Sequence, residues 1–553
     1  SSAEEERKLL QWKGLERADL RRVLANCPGV TSAQIQDARE LLSQCLMPNP
    51  CGRPQSMTEV LSTPFFHRAG RASFSWTPAQ RNAIRVLVSD PLVWMGQDGE
   101  FYPSNRLNFS REKDLLTHCL KKSGKNVLLS FEAATETRLQ ELAMERCGIL
   151  HFSGHGVRLP NDEGDDYLNY LLFEDESGCA QLLGTNGLQE ILEPYPKPFK
   201  FVFVSACMSE QIGLAFVDSG VSQVVCCDKE SQITDDASAD FMRTFYGVIV
   251  AGGTVRAAFD SAKGIVANKW GRVESGKFLL LPHGKKHDLP LMDAIDLDWE
   301  EDCSSDRCIP RPPPHFCGRL LIMHQIVSAI ISRDRLFTIS GEPGIGRSSL
   351  ASAVSCYLQE RLNGTINIDD IVYVQRDEAA VGSESFLKPF HYQLFSDVAM
   401  QSDNERGRAE KICKFLKRTK MLVVFDGVDD IEAEMRGFLR TLFQETSAVK
   451  VLITSRQVTK FSSVGVTEKV FPLGPLDFAS SVHLFATLCQ CAHKTLGPLL
   501  HQFESENVGI VGRNSCSLIA SLKAGSPSVI VQEAQKFTKD DLDRLICELK
   551  NQK

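Results

Sequence analysis

The chain has 553 residues, 43% of them hydrophobic and 24% charged, which is the balance of a folded globular protein and excludes a mainly disordered one. A net charge of -8 does not point to bulk nucleic-acid binding. No apolar run approaches the roughly 20 residues needed to cross a bilayer.

The chain opens Ser1-Ser2-Ala3-Glu4-Glu5-Glu6, with neither a starting Met nor a basic segment ahead of an apolar core. This reads as a fragment or processed end, and it argues against secretion. The 18 cysteines are scattered, for the most part singly and largely inside apolar segments, as expected of reduced thiols in a cytoplasmic protein. Cys303 and Cys308 lack a second pair at zinc-ligand spacing, and Cys489 and Cys491 are isolated, so no structural metal is expected.

Composition divides the chain into roughly three or four domains. A helical stretch over 1–67 ends at Thr63-Pro64-Phe65-Phe66, and a polar segment from Arg68 to Thr77 follows. An α/β domain is expected over 78–297. A linker over 298–315, acidic and then rich in proline (Pro312-Pro313-Pro314), separates it from a second α/β domain over 316–470. A helical subdomain is expected over 471–553.

In the first α/β domain, strands are expected at Ile84–Val88, Val127–Phe131, Gly148–Phe152, Phe201–Val204 and Val224–Cys227, with helices between them, as at Thr135–Arg146. Two of these strands run into turns of small and polar residues. Ile149-Leu150-His151-Phe152 leads into Ser153-Gly154-His155-Gly156. Phe201-Val202-Phe203-Val204 leads into Ser205-Ala206-Cys207-Met208-Ser209. The carboxyl ends of parallel strands gather functional groups. Alone, Cys207 reads as a buried thiol and His155 as a turn histidine. Together, at two strand ends, they read as a catalytic dyad: imidazole removes the thiol proton, the sulfur attacks a peptide carbonyl, and imidazolium protonates the leaving amine. The N–H of Gly156 is a candidate oxyanion donor. No third triad member is visible.

These segments, with Gly220-Val221-Ser222-Gln223-Val224-Val225 and Asp235-Asp236-Ala237, resemble a CHAT domain, a caspase-fold relative of separase. The resemblance implies a caspase-like mixed sheet with flanking helices. Members of that family include active peptidases and others without demonstrated activity. The resemblance also places Asp235 as an acid beside the substrate pocket, favouring a basic residue before the cut. The alternative is that Asp235 caps a helix starting near Ala237, a task Asp236 could also perform.

In the second α/β domain, strands are expected at Leu336–Ser340, Ile371–Val374, Met421–Phe425 and Val449–Thr454. Gly341-Glu342-Pro343-Gly344-Ile345-Gly346-Arg347-Ser348-Ser349 follows the first strand and precedes a helical pattern. This is the P-loop context, whose backbone N–H groups hold phosphates. Ser348 would ligate Mg²⁺. Arg347 replaces the usual Lys, so binding of ATP or ADP with weak or absent hydrolysis is expected. Asp426, closing an apolar strand about eighty residues after the P-loop, fits the magnesium shell, and Asp429 or Asp430 could orient a water.

Further pieces resemble the NB-ARC and NACHT branches of signalling NTPases. Phe316-Cys317-Gly318-Arg319 resembles the motif ahead of the P-loop, and Val451-Leu452-Ile453-Thr454-Ser455-Arg456 resembles the sensor strand. Gly474-Pro475-Leu476 and Gly525-Ser526-Pro527 resemble the helical-domain motifs. The resemblance implies Arg456 near the terminal phosphate and Pro527 against the base. Residues 38–66, with Gly52-Arg53-Pro54, resemble the last helices of a protein-kinase C-lobe, although no H-R-D or D-F-G motif precedes them.

The expected protein is a nucleotide-gated signalling protein with a caspase-like Cys–His peptidase domain. Its partners would be a protein substrate or signalling partner and, in a nucleotide-dependent way, other copies of itself, with no nucleic acid and no membrane. The alternatives are a non-catalytic CHAT scaffold regulated by nucleotide, and the end of a protein kinase with appended regulatory domains.

Overall fold

The computed structural model describes residues 80–550 except for 81, 106, 108, 124–126, 161–166, 293–308, 363–365, 377–383, 396–404, 429–432, 464 and 490–512. The kinase-like stretch and most of the linker therefore lie outside the described residues.

The first region runs β1 (Ala83–Val88), β2 (Val93–Met95), β3 (Phe101–Pro103), α1 (Phe109–Ser123), β4 (Leu128–Ala133), α2 (Glu136–Glu145), β5 (Cys147–Ser153), β6 (Gly156–Pro160), β7 (Tyr167–Glu174) and β8 (Ala180–Leu183). It continues with α3 (Thr185–Leu192), β9 (Phe199–Ser205), α4 (Glu210–Asp218), β10 (Gln223–Cys227), α5 (Asp235–Val250), α6 (Val255–Trp270), α7 (Arg272–Gly276) and β11 (Phe278–Leu281). Six strands form a sheet in the order β11-β10-β9-β5-β1-β4, parallel except for β11.

All seven residues of β5 are buried. A parallel strand covered on both faces has no solvent side, which explains why its sequence is a continuous apolar run rather than an alternation. One face packs Leu139, Leu188 and Phe216 from α2, α3 and α4. The other packs Phe241, Phe245 and Tyr246 of α5, with the Phe241 ring stacked on Phe278 at 4.0 Å. Each such aromatic contributes about 1.5–3 kcal/mol by burial. A small antiparallel sheet, β6-β7-β8, stands beside the main one.

The second region runs α8 (Leu320–Ile331), β12 (Leu336–Ser340), α9 (Arg347–Gln359), β13 (Asp370–Gln375), α10 (Glu384–Phe395), α11 (Glu405–Leu416), β14 (Met421–Asp426), α12 (Ala433–Glu445), β15 (Lys450–Ser455), β16 (Ser462–Ser463) and β17 (Val466–Pro472). The helices α13 (Phe478–Leu488), α14 (Arg513–Ala524), α15 (Pro527–Lys536) and α16 (Lys539–Lys550) complete it. Its sheet has the order β13-β14-β15-β12-β17-β16, parallel but for β16. The observed strands match the expected ones to within one or two residues, and both α/β regions are as expected. Helices α13 to α16 share a separate core around Val482, Phe485, Leu522 and Ile530.

Candidate functional site

Strands β5 and β9 are parallel neighbours in which Ser153 pairs with Ser205. His155 and Cys207 each lie two residues past that pair, so an equal overrun sets both at the same end of the sheet. The backbones meet there: a Cβ on Gly156 would overlap the Cys207 carbonyl, and one on Gly154 would fall 2.8 Å from Cβ of Ser89. Both glycines are required by close approach.

Cys207 sits on an elbow between β9 and α4. Met208 takes a left-handed φ of 49° and donates its N–H to the Ser231 carbonyl (3.1 Å), while the Asn169 amide donates to the Met208 carbonyl. The wholly buried Ser209 hydroxyl donates to Ala206 (2.8 Å) and accepts from the Cys227 N–H (3.0 Å). The Ile233 N–H donates to the Cys207 sulfur at 3.4 Å.

Nε2 of His155 donates to the backbone carbonyl of Asn105 at 2.8 Å. A carbonyl can only accept, so in the neutral ring Nε2 holds the proton and Nδ1 holds the lone pair. The partner that a triad would take from a side chain is here a main-chain oxygen. His151, four residues earlier, is different. It is fully buried between the Tyr246 hydroxyl (2.9 Å from Nδ1) and Glu112 (2.9 Å from Nε2), and it stacks on Phe203. It packs the sheet against α1 and α5.

His155, Gly156, Cys207, Glu112 and Asp235 line one cleft of about 500 Å³. Cys227 lines it too, but burial pushes its thiol up to about 12, which keeps it protonated near neutral pH. Asp235 does not cap a helix starting near Ala237, and neither does Asp236. Helix α5 begins at Asp235 itself, and the Thr234 hydroxyl caps it by accepting from the Ala237 N–H (3.4 Å). Both carboxylates of the first turn are exposed; Asp236 pairs with Arg111, and Asp235 lines the cleft.

In the second sheet the P-loop joins β12 to α9. Gly344 and Gly346 take left-handed φ values of 80° and 98°, which turns the loop over the amino end of α9, where Arg347, Ser348 and Ser349 lie. The Ser348 hydroxyl donates to Oδ1 of Asp426 (2.8 Å) across the sheet. Thr454, at the end of β15 between β12 and β14, donates to the same oxygen (2.6 Å) and accepts the Gly427 N–H (2.8 Å). Two left-handed glycines, a helix amino end and a Ser–Asp oxygen pair fit a nucleoside polyphosphate with Mg²⁺.

Arg319 donates to the Ile345 carbonyl of the loop (3.3 Å) and to Pro475 (3.4 Å). The helix that opens with Pro527 abuts the loop through Ser528, whose N–H donates to Gly344 (3.3 Å). The Gly474-Pro475-Leu476 and Gly525-Ser526-Pro527 pieces meet directly, with the Leu476 N–H donating to Gly525 at 2.8 Å. Arg456 is exposed just past β15. Asp429 and Asp430 lie outside the described residues.

Sequence reasoning passed over Asn105, Asn169 and Thr454. Asn105 acts through its backbone and leaves no residue signature. Thr454 lies in the expected sensor strand, and a polar residue closing an apolar run there is the signal that could have found it. Among the described residues no group of His, Cys, Asp and Glu could hold a metal by itself, and no helix is long and apolar enough to cross a membrane.

The CHAT domain family matches residues 47–273, and the NB-ARC domain family matches residues 323–492. The CHAT match begins inside the stretch expected to be a kinase tail, and no family match shows a kinase there. No curated protein matches the chain. A Signal Transduction ATPase with Numerous Domains with a tetratricopeptide repeat sensor, from Pyrococcus horikoshii, is 18% identical over 45% of this chain and 34% of its own, with a TM-score of 0.27. The Aeropyrum pernix Orc1 protein in complex with DNA is 13% identical over 44% of this chain and 67% of its own (TM-score 0.29). The Arg-specific cysteine proteinase gingipain R is 10% identical over 39% of this chain and 48% of its own (TM-score 0.25). The chain thus spans 34% of the length of the first of these, and likeness at this level does not extend to function. The chain joins a CHAT domain to an NB-ARC nucleotide-binding domain.

Proposed function

We propose that the chain is a nucleotide-gated signalling peptidase of the caspase-like class. The observation that carries this reading is the placement of His155 and Cys207 at equal overrun on adjacent parallel strands, facing one cleft, with His155 Nε2 committed to Asn105.

Nδ1 of His155 takes the Cys207 proton. The sulfur adds to a peptide carbonyl, and the oxyanion is held by main-chain N–H groups, that of Gly156 among them. The imidazolium then protonates the departing amine, leaving an acyl-thioester that water hydrolyses with His155 as base. Asp235 at the cleft favours a basic side chain before the scissile bond.

The switch is an ATP or ADP site with Mg²⁺, in which Ser348 and Asp426 hold the ion and the loop N–H groups, Arg347 and Ser349 hold phosphates. Arg456 lies toward the terminal phosphate and Pro527 toward the base, and Asp429 or Asp430 orients a water. Arg347 in place of Lys makes turnover slow. Among the described residues no cysteine is disulfide-bonded, as in a cytoplasmic protein.

Cys207→Ala in the full chain should lower cleavage of basic-residue peptides by about a thousandfold or more. Equal cleavage by the variant would remove the peptidase reading. A parent that cleaves nothing in any nucleotide state would leave the nucleotide-dependent scaffold.

A further inference from the structure

The two domains are joined through a buried ionic contact as well as apolar packing. Glu174, the last residue of β7 in the CHAT domain, has a wholly buried side chain. Its two oxygens share a single Arg361 nitrogen, Nη2, at 2.8 and 2.9 Å, and one of them also accepts from the Tyr357 hydroxyl at 2.8 Å. The Arg361 guanidinium lies 3.4 Å over the Tyr357 ring and donates to the Tyr357 carbonyl at 2.9 Å. Burial opposes the charge on Arg361, but the adjoining carboxylate outweighs it and raises the pKa.

Around this cluster, Leu92, Val93 and Cys179 of the CHAT domain share one apolar core with Met323, Ile326 and Tyr357. The turn between β7 and β8 is shaped to fit. Gly178, at a φ of 81°, leaves no room for a Cβ beside the Tyr357 hydroxyl, and the Ser177 carbonyl accepts from Nδ1 of His324 on α8 at 3.0 Å.

Each partner leads directly to one of the two sites. Tyr357 is on α9, whose first residues, Arg347 and Ser348, belong to the P-loop, and a helix carries a displacement over those nine residues, about 14 Å, without loss. Glu174 is on β7, which pairs with β6 so that Leu171 faces Gly156, and the Leu172 N–H donates to the His155 carbonyl at 2.9 Å. The Ser89 hydroxyl donates to the Leu172 carbonyl. A single residue of strand, Phe173, therefore separates the one that carries the buried carboxylate from the one that holds His155.

We propose that the Glu174–Tyr357–Arg361 cluster couples the two sites: nucleotide at the P-loop shifts α9, the buried pair makes β7 follow, and β7 sets the His155–Gly156 turn against Cys207. This rests on the peptidase reading for its catalytic consequence, but not for the mechanical link. With Nη2 of Arg361 held between both carboxylate oxygens and Nη1 on the Tyr357 carbonyl, the buried pair has one mutual geometry, and slippage would leave a buried charge without its partner. An apolar contact alone would tolerate sliding. Arg361, Tyr357 and Glu174 are positioning residues and do not touch a substrate.

The test compares the full chain with a Glu174→Met, Arg361→Met double variant, in which apolar side chains replace the buried pair and preserve packing, and with Tyr357→Phe. Hydrogen exchange over residues 156–160 and 171–174 is measured with and without Mg–ATP, alongside calorimetric ATP affinity. In the parent, ATP should change exchange of this hairpin by about tenfold, the size of an ordinary coupling. In the double variant the response should fall below about twofold with ATP affinity unchanged, and Tyr357→Phe should retain part of it. A full ATP response in either variant, or none in the parent, overturns the link. Should the double variant not fold, the response of Tyr357→Phe decides. A response that depends on Glu174 in a protein whose Cys207 never reacts with a peptide probe would keep the link and remove the peptidase.

Discussion

The CHAT cleft and the P-loop both lie at the carboxyl ends of parallel strands, and both depend on glycine, for opposite reasons. At Gly156 the constraint comes from elsewhere in the chain, because a Cβ would meet the carbonyl of Cys207. At Gly346 the surroundings are open, with nothing within 4 Å of a Cβ, and the constraint is the residue's own φ of 98°. One glycine is required by a neighbour 51 residues away, the other by its own peptide geometry. The first kind makes a site sensitive to position, and the second makes a loop that can be recognised from a short motif.

Substitutions at these positions separate the two cases. Gly156→Ala should have the larger effect. The alanine methyl must push the Cys207 backbone aside, and a misplacement of the order of 1 Å costs about a hundredfold in a rate that depends on aligned groups. Alkylation or peptide-probe labelling of Cys207 reads this directly, and an unchanged rate would show that the close approach does not set the site. Gly346→Ala should cost only the left-handed strain of an L-residue, about 1–2 kcal/mol, seen as a lower urea midpoint for the NB-ARC domain. A loss much above that would mean the open space beside Gly346 is used in solution. Arg347→Lys should have the smallest effect, raising ATP turnover several-fold while leaving affinity within about threefold. No gain in phosphate release would show that the slow step lies elsewhere.

The sequence made much of this architecture legible because parallel strands covered on both faces are written as unbroken apolar runs. Cys147–Ser153 and Phe199–Ser205 could be placed within a residue or two, and with them the turns that carry His155 and Cys207. The helix cap at Thr234-Asp235-Asp236 could not be placed, because threonine and aspartate are both favoured at helix caps, and two aspartates follow the threonine. The choice falls to Thr234 because distant groups fix the chain on either side. The Ile233 N–H is held by the Cys207 sulfur, and the Thr234 N–H is held by Glu274 at 3.0 Å. The partner of His155 was invisible for another reason: a main-chain carbonyl belongs to every residue, so nothing marks Asn105.

By itself the sequence determined the strands, the glycine turns and the eight-residue P-loop, whose physics is carried within a few neighbouring residues. Only the tertiary structure decided that Thr454 joins Ser348 on Asp426, that Gly525 receives Leu476, and that Glu174 meets Arg361 from 187 residues away. Backbone preference and apolar pattern act over a turn or a strand, whereas a buried charge or an aligned hydroxyl finds its partner only once the sheets have packed and water has been excluded.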